Sequence, residues 1–283
     1  MGSARDSNST RVSAWQPRVA GIAEVFHAHF TDHAYPVHTH DTWDLMILDD
    51  GSVDFGVDRH RHGAASTGSS SGSVILLPPG VPHDGRTVHA GGFRKRVLYL
   101  DTSVVPAHLT GAAVDTPVHG DPLLHHRIRR LHTALATAGD EFEAEARLVL
   151  VRERLLGHLT AAPGPREQGR REASRLAAAL RELLDARISA GISLSEAGTL
   201  LHADPTHLIR SFRQTYGLPP HSYLTGRRID LARRLLLTGM RPAAVATEVG
   251  FYDQAHLNRH FTRYVGTTPT RYVRPSGPPS KGR

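Results

Sequence analysis

His38 and His40 stand two residues apart in the run Pro36-Val-His38-Thr-His40-Asp-Thr-Trp-Asp44. In an extended segment side chains alternate, so both imidazoles project to one face. Two neutral imidazoles on one face can ligate a divalent metal or hydrogen-bond an organic ligand. The chain has 20 histidines, so a close pair alone decides little, but it has no cysteine. Disulfides, thiolate nucleophiles and Cys-ligated zinc or iron–sulfur sites are therefore excluded, and any metal must use His and carboxylate.

A second set of residues occurs twice. Sliding residues 194–225 forward by 49 positions pairs Ala197 with Ala246, His207 with His256, Leu208 with Leu257 and Arg210 with Arg259. Phe212, Gly217, Pro220 and Tyr223 likewise fall on Phe261, Gly266, Pro269 and Tyr272. At about 100° per residue Leu208 and Phe212 share one side of a helix and Arg210 lies almost opposite. Thr206 and Arg213 join Arg210 on the outward face, bordered by His207 and Ile209. The matching face of the second copy has Ala255, Arg259 and Thr262, bordered by His256 and Asn258, with Gln254 at the helix start. A helix that buries one stripe and presents the other can enter a major groove, where Arg donates to guanine and Asn or Gln pairs with adenine.

Local signals supply the elements that would position these faces. Ser193-Leu-Ser-Glu196 has the form of a capping box, and Asp204-Pro205 and Asp253 are N-cap candidates for the two outward-facing helices. Gly217 and Gly266 fall where those helices should end in a left-handed residue. Each copy thus predicts helix, tight turn, helix. Between the copies Ser222–Leu237 predicts one amphipathic helix, about 24 Å long. With its flanking turns it could set two reading helices roughly 34 Å apart, one helical repeat of DNA. Its Arg227, Arg228, Arg233 and Arg234 are expected to meet phosphates or solvent rather than bases.

Charge separates the chain in the same way. Residues 1–165 hold 15 Lys and Arg against 18 Asp and Glu, net −3, whereas residues 166–283 hold 19 against 9, net +10. The second part suits a polyanion. At 283 residues two domains are expected, with boundaries at 16–162 and 170–274. The fold class expected is an all-β N-terminal barrel followed by helices, then an all-α C-terminal domain. The strands should be Ile22–Phe30, Trp43–Leu48, Ser52–Val57, Val74–Leu77 and Val97–Leu100. Gly63–Gly72, rich in Gly and Ser, reads as a mobile loop. Leu124, Ile128, Leu131 and Leu135, then Phe142, Leu148, Leu155 and Leu159, predict two helices packed on the barrel, whose exposed side could serve a homodimer. Pro163–Gly169 reads as a linker, and the first 15 residues and the tail from Pro275 as disordered. No apolar run approaches the roughly 18 residues of a membrane span, and the opening MGSARDSNSTRVSAW has no signal-like core. A cytoplasmic protein without membrane attachment is expected.

Residues 175–274 resemble the double helix-turn-helix domain of AraC-type bacterial transcription regulators. The resemblance is carried by Ala246-Thr-Glu-Val-Gly-Phe251-Tyr-Asp-Gln-Ala-His-Leu-Asn-Arg-His-Phe261 and by Tyr264-Val-Gly266-Thr-Thr-Pro269. It implies binding to double-stranded DNA with the two second helices as readers, and RNA polymerase as a further partner. The first copy departs more, because Gly198 interrupts its first helix and a small Thr206 replaces a larger reader.

The segments 36–51 and Gly72-Ser-Val-Ile-Leu-Leu-Pro78-Pro-Gly80-Val-Pro-His83 together resemble the two motifs of a cupin barrel, the domain such regulators place first as effector sensor. The resemblance adds Asp44 and His83 to His38 and His40 around the barrel interior. Three readings follow for these four residues: a pocket for a small-molecule effector, a divalent metal site, or structural histidines. Asp44 stands where metal-binding cupins carry the longer Glu. Trp43 is expected to fill the core, and His60 and His62 to be solvated. The whole reads as a sequence-specific regulator that requires no catalysis and no cofactor. The alternative is a metal-dependent cupin enzyme with an accessory DNA-binding domain.

Overall fold

The computed structural model describes residues 10–66, 72–88, 91–161 and 175–272. The expected linker at 163–169, the tail from Pro275 and the centre of the Gly/Ser segment lie outside the described residues. The N-terminal domain has β1 (Arg11–Trp15), β2 (Ile22–Phe30), β3 (Ala34–His38), β4 (Trp43–Val57), β5 (His60–Ser66), β6 (Val74–Leu77), β7 (His83–Thr87) and β8 (Phe93–Leu100). A short helix α1 (Thr110–Asp115), strand β9 (Val118–His119) and helices α2 (Pro122–Leu135) and α3 (Glu141–Ala161) complete it. The C-terminal domain is all helical: α4 (Arg175–Ala186), α5 (Leu194–Leu200), α6 (Pro205–Tyr216), α7 (Pro220–Leu237), α8 (Pro242–Glu248), α9 (Gln254–Val265) and α10 (Pro269–Tyr272).

An all-β domain followed by helices and then an all-α domain is as expected, but the sheet is an open path and not a closed barrel. Its order is β1-β2-β8-β4-β6-β9, with β5 and β7 also on β4 and β3 on β7. The two strands expected at 43–48 and 52–57 are one, because the turn-like Asp49-Asp50-Gly51 is absorbed at a register shift of β4 against β8 between Leu48 and Asp50. Gly63–Ser66, expected in a loop, pair with Gly51–Asp54 as part of β5. Arg11–Trp15, expected to be disordered, pair along β2. In both cases backbone pairing to a long neighbour overrides weak local signals.

One face of the sheet packs on α2 and α3 through Trp43, Leu45, Ile47, Leu98, Leu124, Ile128, Leu131, Val151 and Leu155. Trp43 is fully buried there and donates Nε1–H to the Val105 carbonyl at 2.7 Å. Phe142, placed by its spacing on the buried stripe, is 82% exposed. His27 on β2 meets His132 on α2 in this layer, Nε2 to Nδ1, at 3.0 Å. Burial, with Arg96 nearby, depresses His27 to about 4 and pushes His132 well below its ordinary value. A folded-state pKa below the unfolded 6.5 means stability that is present above pH 6.5 and lost as pH falls toward 4. That window is worth on the order of 3 kcal/mol at His27. His27→Leu should flatten the acid limb of a melting-temperature profile between pH 6.5 and 4. An unchanged limb would exclude this pair as the acid-labile element.

The other face of the sheet buries Phe26, Phe30, Met46, Phe55 and Phe93 in one cluster with Ile229, Ala232, Leu236, Phe251, Phe261 and Val265 of the helical domain. The second helix-turn-helix unit is therefore docked on the sheet, whereas α4, α5 and α6 have a core of their own around Leu180, Leu208 and Phe212. The capping signals hold. Ser193 Oγ accepts from the Glu196 N–H, Asp204 from those of Thr206 and His207, and Asp253 from that of His256. The Glu196 carboxylate instead pairs with Arg187, so the capping box closes on one side only. Gly217 and Gly266 end α6 and α9 at φ 74° and 81°. Gly198 does not interrupt α5. A Cβ there would lie 2.7 Å from the Ala203 carbonyl oxygen, so glycine permits the close turn into α6.

Candidate functional site

The four residues of the cupin resemblance come together. His38 ends β3 directly opposite His83, the first residue of β7. His40 follows in the link to β4, where its carbonyl accepts from the Gly80 N–H at 2.8 Å and so ties the Pro78-Pro-Gly80 turn to the site. Asp44 is the second residue of β4. Ring centroids are 4.4 Å apart for His38 and His83 and 4.5 Å for His40 and His83. His40 Nε2 is 3.8 Å from Asp44 Oδ2. His40, His83 and Asp44 are buried and His38 half-buried. Burial, reinforced by His83, holds His38 and His40 well below 6.5, and burial takes His83 to about 4, so all three rings are neutral near pH 7. Burial lifts Asp44 to about 6 against the pull of Lys95 and Arg233.

His38, Asp44 and His83 line a cavity of about 50 Å³ walled by both domains. The sheet contributes Phe26, Tyr35, Phe55, Phe93, Lys95 and Tyr99, while α7 contributes Ile229, Asp230 and Arg233 and α9 contributes Tyr264 and Val265. Lys95 is buried with its ammonium 4.5 Å from the centre of the Tyr35 ring, and burial lowers it to about 8. The sequence held a signal for it: among 34 Lys and Arg only two are lysine. Arg233 and Tyr264 offered none, because only the docking of the two domains brings them here, whereas Tyr99 reaches the site within the sheet as the register partner of Asp44.

On the helical domain the expected reading faces are open. Thr206, His207, Ile209, Arg210 and Arg213 of α6 are exposed, as are Gln254, Ala255, Arg259 and Thr262 of α9, while Asn258 is half-buried. Among the described residues no acidic side chain pairs with Arg210, Arg213 or Arg259. Arg263 and Tyr252, the latter 92% exposed, flank the second face and were not expected there. The arginines of α7 are different. Arg233 pairs with Glu24 at 2.7 Å, Arg234 with Asp41 at 2.9 Å, and Arg227 with Asp41 and Asp185, each at 3.2 Å. Arg228 donates to the Ile188 carbonyl. Expected at phosphates or in solvent, these side chains instead tie α7 to the sheet domain and to the end of α4. The β4–β5 turn also reaches α6, where Arg59 donates to the Gln214 carbonyl at 3.0 Å and Asp58 and Arg59 face Thr206, Ile209 and Arg210 across a cleft.

Comparison with known proteins agrees with this arrangement. The family model of the AraC-like ligand binding domain matches residues 21–151, and that of a helix-turn-helix domain matches 198–275. The MmsAB operon regulatory protein of Pseudomonas aeruginosa is 25% identical over 252 residues, covering 85% of this chain and 78% of that protein. The HTH-type transcriptional regulator YbfI of Bacillus subtilis is 36% identical over 76 residues, which are 27% of this chain and 28% of that one. The chain spans about a third or less of the length of this relative and of two others it matches. Unsaturated fatty acid-bound ToxT of Vibrio cholerae shares the fold, with a TM-score of 0.54 at 12% identity, over 95% of this chain and 97% of that one. With a ligand-binding-domain match followed by a helix-turn-helix match, and a sheet domain and paired reading helices in the same order, the chain belongs to the AraC-type family of transcription regulators.

Proposed function

We propose that this protein is a cytoplasmic, sequence-specific DNA-binding regulator that responds to a small molecule and carries out no catalysis. The observation that carries the reading is the cavity walled by both domains, because anything held there touches the sensor and the reader together. The sensing unit would comprise residues 16–162 and the reader 170–274. Thr206, His207, Ile209, Arg210 and Arg213 would enter one major groove, and Gln254, Ala255, Asn258, Arg259 and Thr262 the next. A ligand of ordinary organic size needs about 300 Å³ or more, so entering this cavity requires α7 and α9 to lift from the sheet. Such a ligand binds one domain arrangement better than the other, and that difference is the regulatory free energy. Lifting would also carry α6 away from the Asp58–Arg59 turn. ToxT, with a fatty acid bound in one of its structures, supports the small-molecule part of the reading. The exposed Phe142, Val149 and Leu150 of α3 and Leu123 of α2 suit a homodimer contact, and RNA polymerase would be the further partner.

The test is Arg259→Ala, assayed by fluorescence anisotropy on an operator selected from random duplexes and on variants of it. Affinity should fall by about 1–3 kcal/mol on the selected operator, with discrimination relaxed at one base pair. Equal loss on every sequence would assign Arg259 to the phosphate backbone and remove the base-reading role. The enzyme alternative would require substrate turnover that disappears in His40→Ala.

A further inference from the structure

α6 and α9 come from one repeated unit, yet they meet the sheet domain with opposite faces. α9 docks by its apolar side: Leu257, Phe261 and Val265 share a core with Phe26 and Phe30 of the sheet, which leaves Gln254, Ala255, Arg259 and Thr262 exposed. α6 turns its apolar side to its own domain, where Leu208 and Phe212 pack with Leu180 and Leu184 of α4. What it turns to the sheet domain is its outward face. Across one cleft Thr206, Ile209, Arg210 and Arg213 face Asp58 and Arg59, the two-residue turn between β4 and β5. That turn is braced. β4 and β5 stay paired up to Val57 and His60, and the Asp58 N–H donates to the Pro82 carbonyl at 2.8 Å. The Pro82 ring in turn lies beside Gly217 at the end of α6. Arg59 Nη2 donates to the Gln214 carbonyl at 3.0 Å. This is one of the last-turn carbonyls that a helix leaves without an internal partner and where a cation is favoured.

We infer that the Asp58–Arg59 turn masks α6, so that the docked protein holds one major groove through α9 and takes the second only when the turn withdraws. A major groove about 12 Å wide is filled by a single helix about 10–12 Å across, so α6 cannot enter it with a turn of another domain against its reading face. Charge acts in the same direction. Asp58 brings a carboxylate to a face whose Arg210 and Arg213 have no acidic partner among the described residues, and so weakens the attraction of that face for phosphate. The mask falls on one reader only, because α9 shows the sheet its back. The two halves of an operator are then unequal: the half read by α9 is always available, and the half read by α6 is conditional on the sheet domain. The inference rests on the regulator reading above and names how its reader is controlled.

Hydroxyl-radical footprinting of full-length protein on an operator selected from random duplexes counts the grooves covered. Arg259→Ala should erase one half-site and Arg210→Ala the other, which assigns them. In Asp58→Asn/Arg59→Ser the charge and the Gln214 contact are gone, while Asn tolerates the left-handed backbone at 58, where φ is 54°. Protection of the α6 half-site should then appear at about tenfold lower protein concentration than in the wild type, with affinity for an isolated α9 half-site unchanged. The opposite state is reached in Arg59→Cys/Gln214→Cys joined by a short bismaleimide with a reducible link, in a chain that has no other thiol. The locked protein should protect the α9 half-site alone, and reduction should restore the other, so folding is controlled within one sample. Two half-sites protected by the locked protein, an unchanged concentration dependence in the turn variant, or a footprint there that Arg210→Ala leaves intact would each overturn the mask while the DNA-reading proposal stands. Protection of neither half-site by any form would refute that proposal, and the mask with it.

Discussion

Glu24→Ala should destabilise the protein by about 3–5 kcal/mol, because it strands a buried guanidinium. Arg233 on α7 reaches into the sheet domain, where its Nη2 lies 2.7 Å from Glu24 Oε1, its Nε donates to the Tyr272 hydroxyl at 3.2 Å and its guanidinium carbon sits 4.1 Å from the Tyr99 ring centre. Both partners of the ion pair are buried. Burial alone would lower Arg233, but Glu24 together with the Tyr99 and Tyr272 hydroxyls holds the group well above its ordinary value. With Glu24 gone, Arg233 cannot shed its proton, so it must remain unpaired in the interior or regain water by parting α7 from the sheet. The loss would appear as a lower denaturation midpoint and as faster amide exchange along α7. Glu24→Ala/Arg233→Met should recover most of it, since an apolar replacement removes the stranded charge. Failure of the double variant to recover would mean that Glu24 contributes through something other than this pair.

This ion pair also marks the limit of what the sequence disclosed. Elements whose cause is local were legible: the 49-residue repeat, the N-caps at Asp204 and Asp253, the αL glycines and the apolar stripe of α2. The histidine set was legible through motif resemblance, and its convergence follows from His38 and His83 being register partners. Arg227, Arg233 and Arg234 were misassigned because their partners, Glu24 and Asp41, are roughly 190 or more positions away in a domain whose charge gives no hint of pairing. Their stripe on α7 looks the same whether it meets phosphate or carboxylate. Interdomain docking likewise put Arg233 and Tyr264 against the wall of the cavity that carries Lys95 and Tyr99, and no periodicity within either domain encodes that meeting.

The same docking makes two glycines that are equivalent in the repeat unequal in the fold. Gly266→Ala should cost about 2–5 kcal/mol, and Gly217→Ala only about 1–2. Both residues close a reading helix with a left-handed backbone, at φ 81° and 74°, where an L side chain costs roughly 1–2 kcal/mol. That part is common to the two. At Gly217 an added Cβ would meet Pro82 Cγ at 3.3 Å and Cβ at 3.7 Å, a contact relieved by a shift of a few tenths of an ångström. At Gly266 it would lie 2.3 Å from Phe30 Cε1 and 2.9 Å from Cζ. Phe30 is fully buried and hemmed in by His33, Tyr35 and Phe93, with ring centroids between 4.9 and 5.7 Å away, so it has nowhere to move. Overpacking therefore adds about 1–3 kcal/mol to the backbone strain. Denaturant midpoints of the two variants measured side by side would show the difference, and equal losses would place the end of α9 free of the sheet. The larger loss at Gly266 ties the terminus of a reading helix to the wall that carries Tyr35 and Lys95. Movement of that wall is then felt at Arg259 through one short helix, without passing through the rest of the helical domain.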